Sequence, residues 1–244
     1  MNLKHLIIAL SLATGCAASS GYGAVQLSSL TDPTLQTLIT MGSAPVVVGP
    51  YQFSDFDFTD ASTGASSTAA QIQVQPLTTN GYGLQFVANW FAANGTMVDD
   101  VVSYDVQTTN PPQPVTQISL LSNGTAPVPV TGTFTTATLI ASLPGGGTAA
   151  PILSTYNDGL DTSIDVNYAV ENLPQQPQLH VMDTLLAIST PAGAETTGGV
   201  ATTSVLQNAF TPASIPEPSQ PGWIFLPMAV VVTASGRRWR KPAR

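Results

Sequence analysis

The side chains that could do chemistry in this chain are few, and nearly all are carboxylates. There are 14 Asp and Glu, two histidines and one cysteine, Cys16. His180 is the only histidine beyond the N-terminal segment. A serine nucleophile needs a histidine base held between it and a carboxylate. No Gly-x-Ser-x-Gly turn presents a serine here. His180 is therefore expected to be a strand residue whose ring is satisfied by a neighbour. Zinc requires several His or Cys ligands, which the chain does not supply. Gly145-Gly146-Gly147 lacks the following Lys and Ser or Thr that would hold a phosphate.

Paired carboxylates remain. Glycoside hydrolysis needs two carboxyls facing each other across a cleft. Asp99-Asp100 is the densest pair, but neighbours along a strand point to opposite faces. Asp161-Thr162-Ser163 resembles an aspartic-protease loop without its glycine or a second copy. Both are expected to be solvated. Calcium is the one cofactor for which oxygens exist. Asn157-Asp158-Gly159-Leu160-Asp161 puts Asp158 and Asp161 on a tight loop, and Asp55, Asp57 and Asp60 form a second group. Ca²⁺ takes six to eight oxygens, and neither run has EF-hand spacing. The reading is a non-catalytic protein with no bound metal. The alternative is a carbohydrate- or calcium-binding surface module, in which exposed Trp90, Phe91 or Tyr104 would stack on a sugar beside Asp. The sequons at Asn94 and Asn123 coincide with turns and are explained by them.

The elements that must position these residues are mostly strands. Leu84, Phe86, Ala88 and Trp90 alternate with Gln85 and Asn89; Val102, Tyr104 and Val106 alternate with Ser103, Asp105 and Gln107. Ile164, Val166, Tyr168 and Val170 alternate with Asp165 and Asn167. Period-two alternation marks half-buried strands. Tyr51 and Phe53 are out of phase with Phe56 and Phe58, which predicts a bulge between them. Asn80-Gly81, Asn94-Gly95 and Asn123-Gly124 read as hairpin turns. Asp32-Pro33 reads as a helix start, with Leu35, Leu38 and Ile39 on one face and Gly42 at the end. About eight to ten strands at this spacing predict an all-β antiparallel sandwich with one short N-terminal helix.

Composition bounds the setting. The chain has 244 residues, 43% hydrophobic and 8% charged, with a formal net charge of −8. Lys4 and the five cations Arg237, Arg238, Arg240, Lys241 and Arg244 are its only Lys and Arg, so the stretch between holds every acid and neither Lys nor Arg. Such a body repels nucleic acid, because counterion release needs Lys or Arg. Positive charge beside an apolar run marks the cytoplasmic side of a membrane. Lys4, the apolar run from Leu6 and the small residues after Thr14 read as a signal peptide over 1–24, cut by signal peptidase after Ala18 or near Ala24. Ala13-Thr14-Gly15-Cys16 loosely resembles a lipobox, which leaves lipidation of Cys16 open. Without Cys16 no disulfide can form, so residues 25–213 must be held by packing and hydrogen bonds.

The far end carries a second address over 214–244. Pro216-Glu217-Pro218 is followed by an apolar run containing Trp223, Ile224, Phe225, Leu226, Val230, Val231 and Val232, then by the arginine-rich end. This ordered triplet resembles the PEP-CTERM sorting signal. The resemblance implies cleavage near Pro216-Glu217-Pro218 by an exosortase. It also implies a C-terminal membrane helix in the precursor and an exopolysaccharide setting at the cell surface or matrix. The apolar part is short: 221–235 is about 15 residues, against roughly 20 for a full span, and Pro227 removes a helix hydrogen bond. Within the body, Val48-Gly49-Pro50-Tyr51-Gln52-Phe53, Asp99-Asp100-Val101-Val102-Ser103-Tyr104, Leu179-His180-Val181-Met182-Asp183 and Gln207-Asn208-Ala209-Phe210 loosely resemble strands of PEP-CTERM surface proteins. No catalytic residue is implied by them.

Overall fold

The computed structural model describes residues 23–64, 66–109, 112–128, 130–143, 152–160, 166–193 and 197–214. The N-terminal signal before residue 23 and the sorting tail from residue 215 onward lie outside them. The described residues form a two-sheet sandwich with one helix. In chain order the elements begin β1 Val25–Gln26, α1 Leu35–Met41, β2 Val46–Val48, β3 Tyr51–Asp60, β4 Gln73–Leu77, β5 Tyr82–Ala93 and β6 Met97–Thr108. They continue β7 Val115–Ser122, β8 Thr125–Val128, β9 Phe134–Ser142, β10 Ile152–Asn157, β11 Tyr168–Gln176, β12 Gln178–Ile188 and β13 Val200–Pro212. Thirteen strands exceed the eight to ten expected, because β1, β2 and β8 have two to four residues and are too short to show alternation.

One sheet has seven strands in the order β1-β2-β3-β6-β12-β9-β10. The other has six, in the order β11-β7-β13-β5-β4, with β8 also paired to β13. All pairs are antiparallel except β1 with β2. The core lies where the inward sets of the two sheets meet. Leu84, Phe86 and Trp90 of β5 and Leu206 and Phe210 of β13 come from one side. Val102, Tyr104 and Val106 of β6 and Val181 and Leu185 of β12 come from the other. Tyr104 is the hub, with ring centres 5.6 Å from Phe56, 6.0 Å from Phe86 and 6.1 Å from Phe53. Each such side chain contributes about 1.5–3 kcal/mol through burial alone.

Two bulges set which residues face in. In β3 the pairing with β6 slips between Ser54 and Asp57, and Asp55 has φ 54°, so the out-of-phase Phe pairs both reach the core. In β13 the pairing with β5 slips between Thr203 and Val205. Before the slip Ala201 and Thr203 are buried; after it Leu206, Asn208 and Phe210 are.

Three local expectations change. The helix is capped by Thr34, whose hydroxyl accepts from the Thr37 N–H at 3.2 Å, and it starts at Leu35. Asp32 precedes it at φ 46° and does not cap it. Gly42 ends the helix as expected, at φ 61°. Both residues of Asn80-Gly81 and of Asn94-Gly95 have positive φ, but only Asn80-Gly81 closes a hairpin, between β4 and β5. Asn94-Gly95 is a tight turn that carries the chain from β5 in one sheet to β6 in the other. Asn123-Gly124 is not a hairpin: β7 and β8, on either side of it, both pair with β13. Asn123 instead stitches the β13 bulge. Its Oδ1 accepts from the N–H of Ser204 at 2.9 Å and of Val205 at 2.8 Å, and its Nδ2 donates to Ser204 Oγ at 2.8 Å. Gly124 is required beside it, since a Cβ there would strike the Thr135 hydroxyl.

Asn123→Ala should leave both bulge N–H groups to water and lower stability by about 1–2 kcal/mol, read as a fall in the urea midpoint at unchanged m. Gly95→Ala, at φ 86° in the tight turn that joins the two sheets between β5 and β6, should also destabilise, but without disturbing β13 amide protection in hydrogen exchange.

Candidate functional site

Two of the acids are buried in the core. Asp100 and Asp183 take inward positions on β6 and β12 and are 2% and 1% exposed. Asp100 was expected to be solvated; the β6 alternation puts it in phase with Val98 and Val102, and Asp99 on the other face. Its carboxylate accepts from Trp90 Nε1 at 2.8 Å, a bond that joins β6 of one sheet to β5 of the other. Asp183 accepts from Asn208 Nδ2, which also donates to the Tyr104 hydroxyl at 2.7 Å. Asn208 on β13 thus ties the six-stranded sheet to β6 and β12 of the seven-stranded one. Burial raises the Asp183 carboxyl to about 8. Burial, with a smaller contribution from the charge of Asp60, raises Asp100 to about 7. Asp60 is the cross-strand neighbour of Asp100 and is exposed. Hydrogen bonds from Ser66 and Ser62 hold it down to about 2. These two carboxyls differ in acidity but do not face each other across a cleft, because Asp100 is closed off in the core.

The remaining candidates sit on the surface. His180 is a β12 strand residue, and its Nδ1 lies 2.7 Å from Asp105 Oδ1 on β6, as a satisfied ring. Asp158 accepts from the Leu160 N–H at 2.9 Å in a local turn, and Asp161 lies outside the described residues. Asp55 accepts from the Ser54 hydroxyl and Asp57 from the Phe58 N–H. Among the described residues no three His, Cys, Asp or Glu gather as a metal site. The expected aromatic platform is corrected: Trp90 and Tyr104 are core residues, and of the three only Phe91 is exposed. The alternation of Val166, Tyr168 and Val170 is real, but these residues face solvent at 43%, 53% and 44% exposure. The reason is register. Tyr168 pairs with Leu121 and Val170 with Ser119, both outward on β7.

The outer faces of the two sheets differ in charge. Asp55, Asp57, Asp99, Asp105 and His180 all belong to the seven-stranded sheet. In the strands of the six-stranded sheet the only charged residue is Glu171, which pairs with inward Ile118 and so points away from the outer face. That outer face is built in rows across the strands. One row runs Tyr168, Leu121, Gln207, Gln85 and Gln75. Gln207 Nε2 donates to Gln85 Oε1 at 2.6 Å, and Gln85 Nε2 donates to Gln75 Oε1 at 3.1 Å. A parallel row holds Asn172, Gln117 and Thr211, with Gln117 Nε2 donating to Asn172 Oδ1 at 3.0 Å. The row between them is Val170, Ser119, Ala209, Gly83 and Leu77. Its middle members are small, so the face is grooved, with a depression of about 280 Å³ walled by Tyr168, Leu121 and Gln207. A Cβ on Gly83 would run into the Asn208 carbonyl, so this floor position admits only glycine. The amide ladder was missed from sequence. Its signal was present: Gln75, Gln85, Gln117 and Gln207 hold the outward phase of their strands.

The sorting residues Pro216, Glu217 and Pro218, the anchor residues and the arginine cluster lie outside the described residues. No helix among the described residues is long and apolar enough to cross a membrane. No family model matches the chain, and no curated protein matches it. Five solved chains match it, among them these two. One is a carbohydrate-binding module from Clostridium stercorarium in complex with cellobiose, 16% identical, with a TM-score of 0.21, covering 65% of this chain and 95% of that one. The other comes from carbohydrate-binding modules of the β-sandwich superfamily, 10% identical, with a TM-score of 0.25 over 68% of this chain and 58% of that one. Likenesses this slight carry no function to the chain.

The buried acids generate a pH prediction. Both folded pKa values lie above the unfolded carboxyl value of about 3.9. Their stabilising contribution is therefore complete below about pH 4 and is lost as pH rises to about 7 for Asp100 and about 8 for Asp183. Urea unfolding should show stability falling by up to about 1.4 kcal/mol per pH unit per group across that window. Asp183→Asn, which keeps the shape and removes the titration, should flatten the slope by one proton. A wild-type profile rising from pH 4 to 7 would contradict the assignment.

Proposed function

We propose that the chain is an exported protein of the cell surface or extracellular matrix, associated with exopolysaccharide, with a structural rather than catalytic role. In this reading signal peptidase removes the N-terminal segment. The tail then parks the precursor in the inner membrane, and an exosortase cleaves near Pro216-Glu217-Pro218. The observation that carries it is the segregation of charge: all six Lys and Arg lie at the two ends, and all 14 acids lie between. Cations beside apolar runs stay in the cytosol, and the anionic middle is moved across. A sandwich with no cysteine among its described residues suits that route, since it needs no oxidant to fold. In support of a non-catalytic role, the groove on the six-stranded sheet holds no carboxyl and His180 spends its ring on Asp105.

Fractionation of cells carrying the full chain and a form ending at residue 214 tests this. The full chain should reach the surface fraction without its tail, and the shortened form should be released rather than retained. Peptides from 237–244 found by mass spectrometry in the mature surface protein would overturn the sorting step.

A further inference from the structure

The outer face of the six-stranded sheet is both uncharged and grooved. We infer that this groove binds a neutral polysaccharide chain, laid across the strands between the two amide rows with Tyr168 at one end. The inference rests on the proposed exopolysaccharide setting and names the site within it.

The amides suit hydroxyl groups. A sugar hydroxyl donates and accepts, and a primary amide does both, whereas a carboxylate only accepts and a lysine only donates. The ladder spends part of this capacity and leaves the rest. Gln85 uses one N–H on Gln75 and one lone pair on Gln207, and so keeps one N–H and one lone pair for a ligand. Because each amide is held by its neighbour, its orientation is set before a ligand arrives, which lowers the ordering cost of binding. The five-strand row spans about 19 Å at ~4.8 Å per strand, long enough for an extended oligomer and too long for a single small molecule.

The apolar members agree. Tyr168 and Val170 stand 53% and 44% exposed at the end of the groove. An aromatic ring beside polar groups offers one apolar face to the C–H side of a sugar ring and keeps its hydroxyl wet. Charge decides the class of polymer. The chain carries a formal net charge of −8 with no Lys or Arg between residues 4 and 237, so uronate polymers and nucleic acids are repelled and find no cation. A cationic partner would be drawn to the acids of the opposite sheet. The amide face is left for an uncharged chain.

The test is titration calorimetry on the purified full chain in detergent. The probes are neutral hexasaccharides of gluco-, manno- and galacto-configuration, with alginate as the anionic polymer. At least one neutral probe should bind in a Tyr168-dependent way, whereas alginate, which meets Lys and Arg only at the two ends of the chain, should bind no differently when Tyr168 is replaced. Tyr168→Ala and Gln85→Leu should each weaken binding about fivefold or more while leaving the urea midpoint near wild type, since both side chains reach solvent. Asp57→Asn, on the opposite sheet, should change nothing. Absence of binding by every neutral probe, alginate binding that Tyr168→Ala weakens, or neutral-probe affinity indifferent to Tyr168→Ala would overturn the site. So would a dimer in light scattering that Tyr168→Ala dissociates, because the face would then be covered by a second copy. A tail processed normally with no glycan bound removes the site and leaves the setting. Glycan binding by a chain that is never exported does the reverse.

Discussion

Two carboxyls buried in a chain with no cation to offer them govern the rest of this fold. An ionised carboxylate in the core would need a charged partner, and Lys and Arg occur only at the termini. The alternatives are neutralisation and hydrogen bonding, and both are used. Asp183 and Asp100 have raised pKa values, and their oxygens accept from Asn208 and Trp90 across the gap between the sheets. The ties are polar but carry no net charge near the acidic end of their range. They also fix how the sheets are set against each other, because each bond joins a strand of one sheet to a strand of the other. The arrangement is not cost-free: Asp183 Oδ1 and Asn208 Oδ1 are buried without a partner, a penalty of about 1–3 kcal/mol each. A fully apolar core would avoid that penalty but would lose the directional bonds.

The bulge in β13 makes this possible and shapes the surface at the same time. A strand alternates strictly, so one extra residue exchanges its two faces from that point on. Without the slip at Ser204, Gln207 and Ala209 would point inward, and Asn208 and Phe210 outward. The core would lose its inter-sheet amide and an aromatic ring that lies 5.9 Å from Phe53. The outer face would lose the middle of its amide ladder. Asn123, by binding both free N–H groups of the bulge, therefore supports the buried tie and the exposed groove through one local contact.

Much of this could be read before any coordinates. The alternations in β5 and β6, the β3 bulge and one of the three Asn-Gly hairpins, Asn80-Gly81, follow from local rules acting over a few residues. What could not be read depends on which strands lie side by side. Asp100 and Asp183 share the phase of apolar neighbours, so their burial was implied by alternation, but an acid in that phase reads as an exception until a Trp or Asn partner is known. Tyr168 and Val170 look like core residues by period, and only pairing with Leu121 and Ser119 turns them outward. Asn123-Gly124 has the composition of a hairpin and serves a strand some 80 residues away. The amide ladder joins β4, β5 and β13, whose order in the sheet no short window contains.

The same shortage of cations bears on the edges. Many sandwiches guard an unpaired edge strand with lysine, whose charge repels a second edge. This chain cannot. Its six-stranded sheet ends in β4 and β11, and each carries a proline within the strand: Pro76 in β4 and Pro174 in β11. A proline removes one N–H from the row a foreign strand would need. In β11 it coincides with the slip in pairing between Asn172 and Gln176, and Glu171 adds a negative charge nearby. The seven-stranded sheet ends in β1, which has only two residues, and in β10, which is bridged at Tyr156 to Val166. Covalent geometry and brevity do the work that charge does elsewhere. That solution leaves the broad face of the six-stranded sheet free of charge, because no cation was needed at its rim and no anion was placed on it.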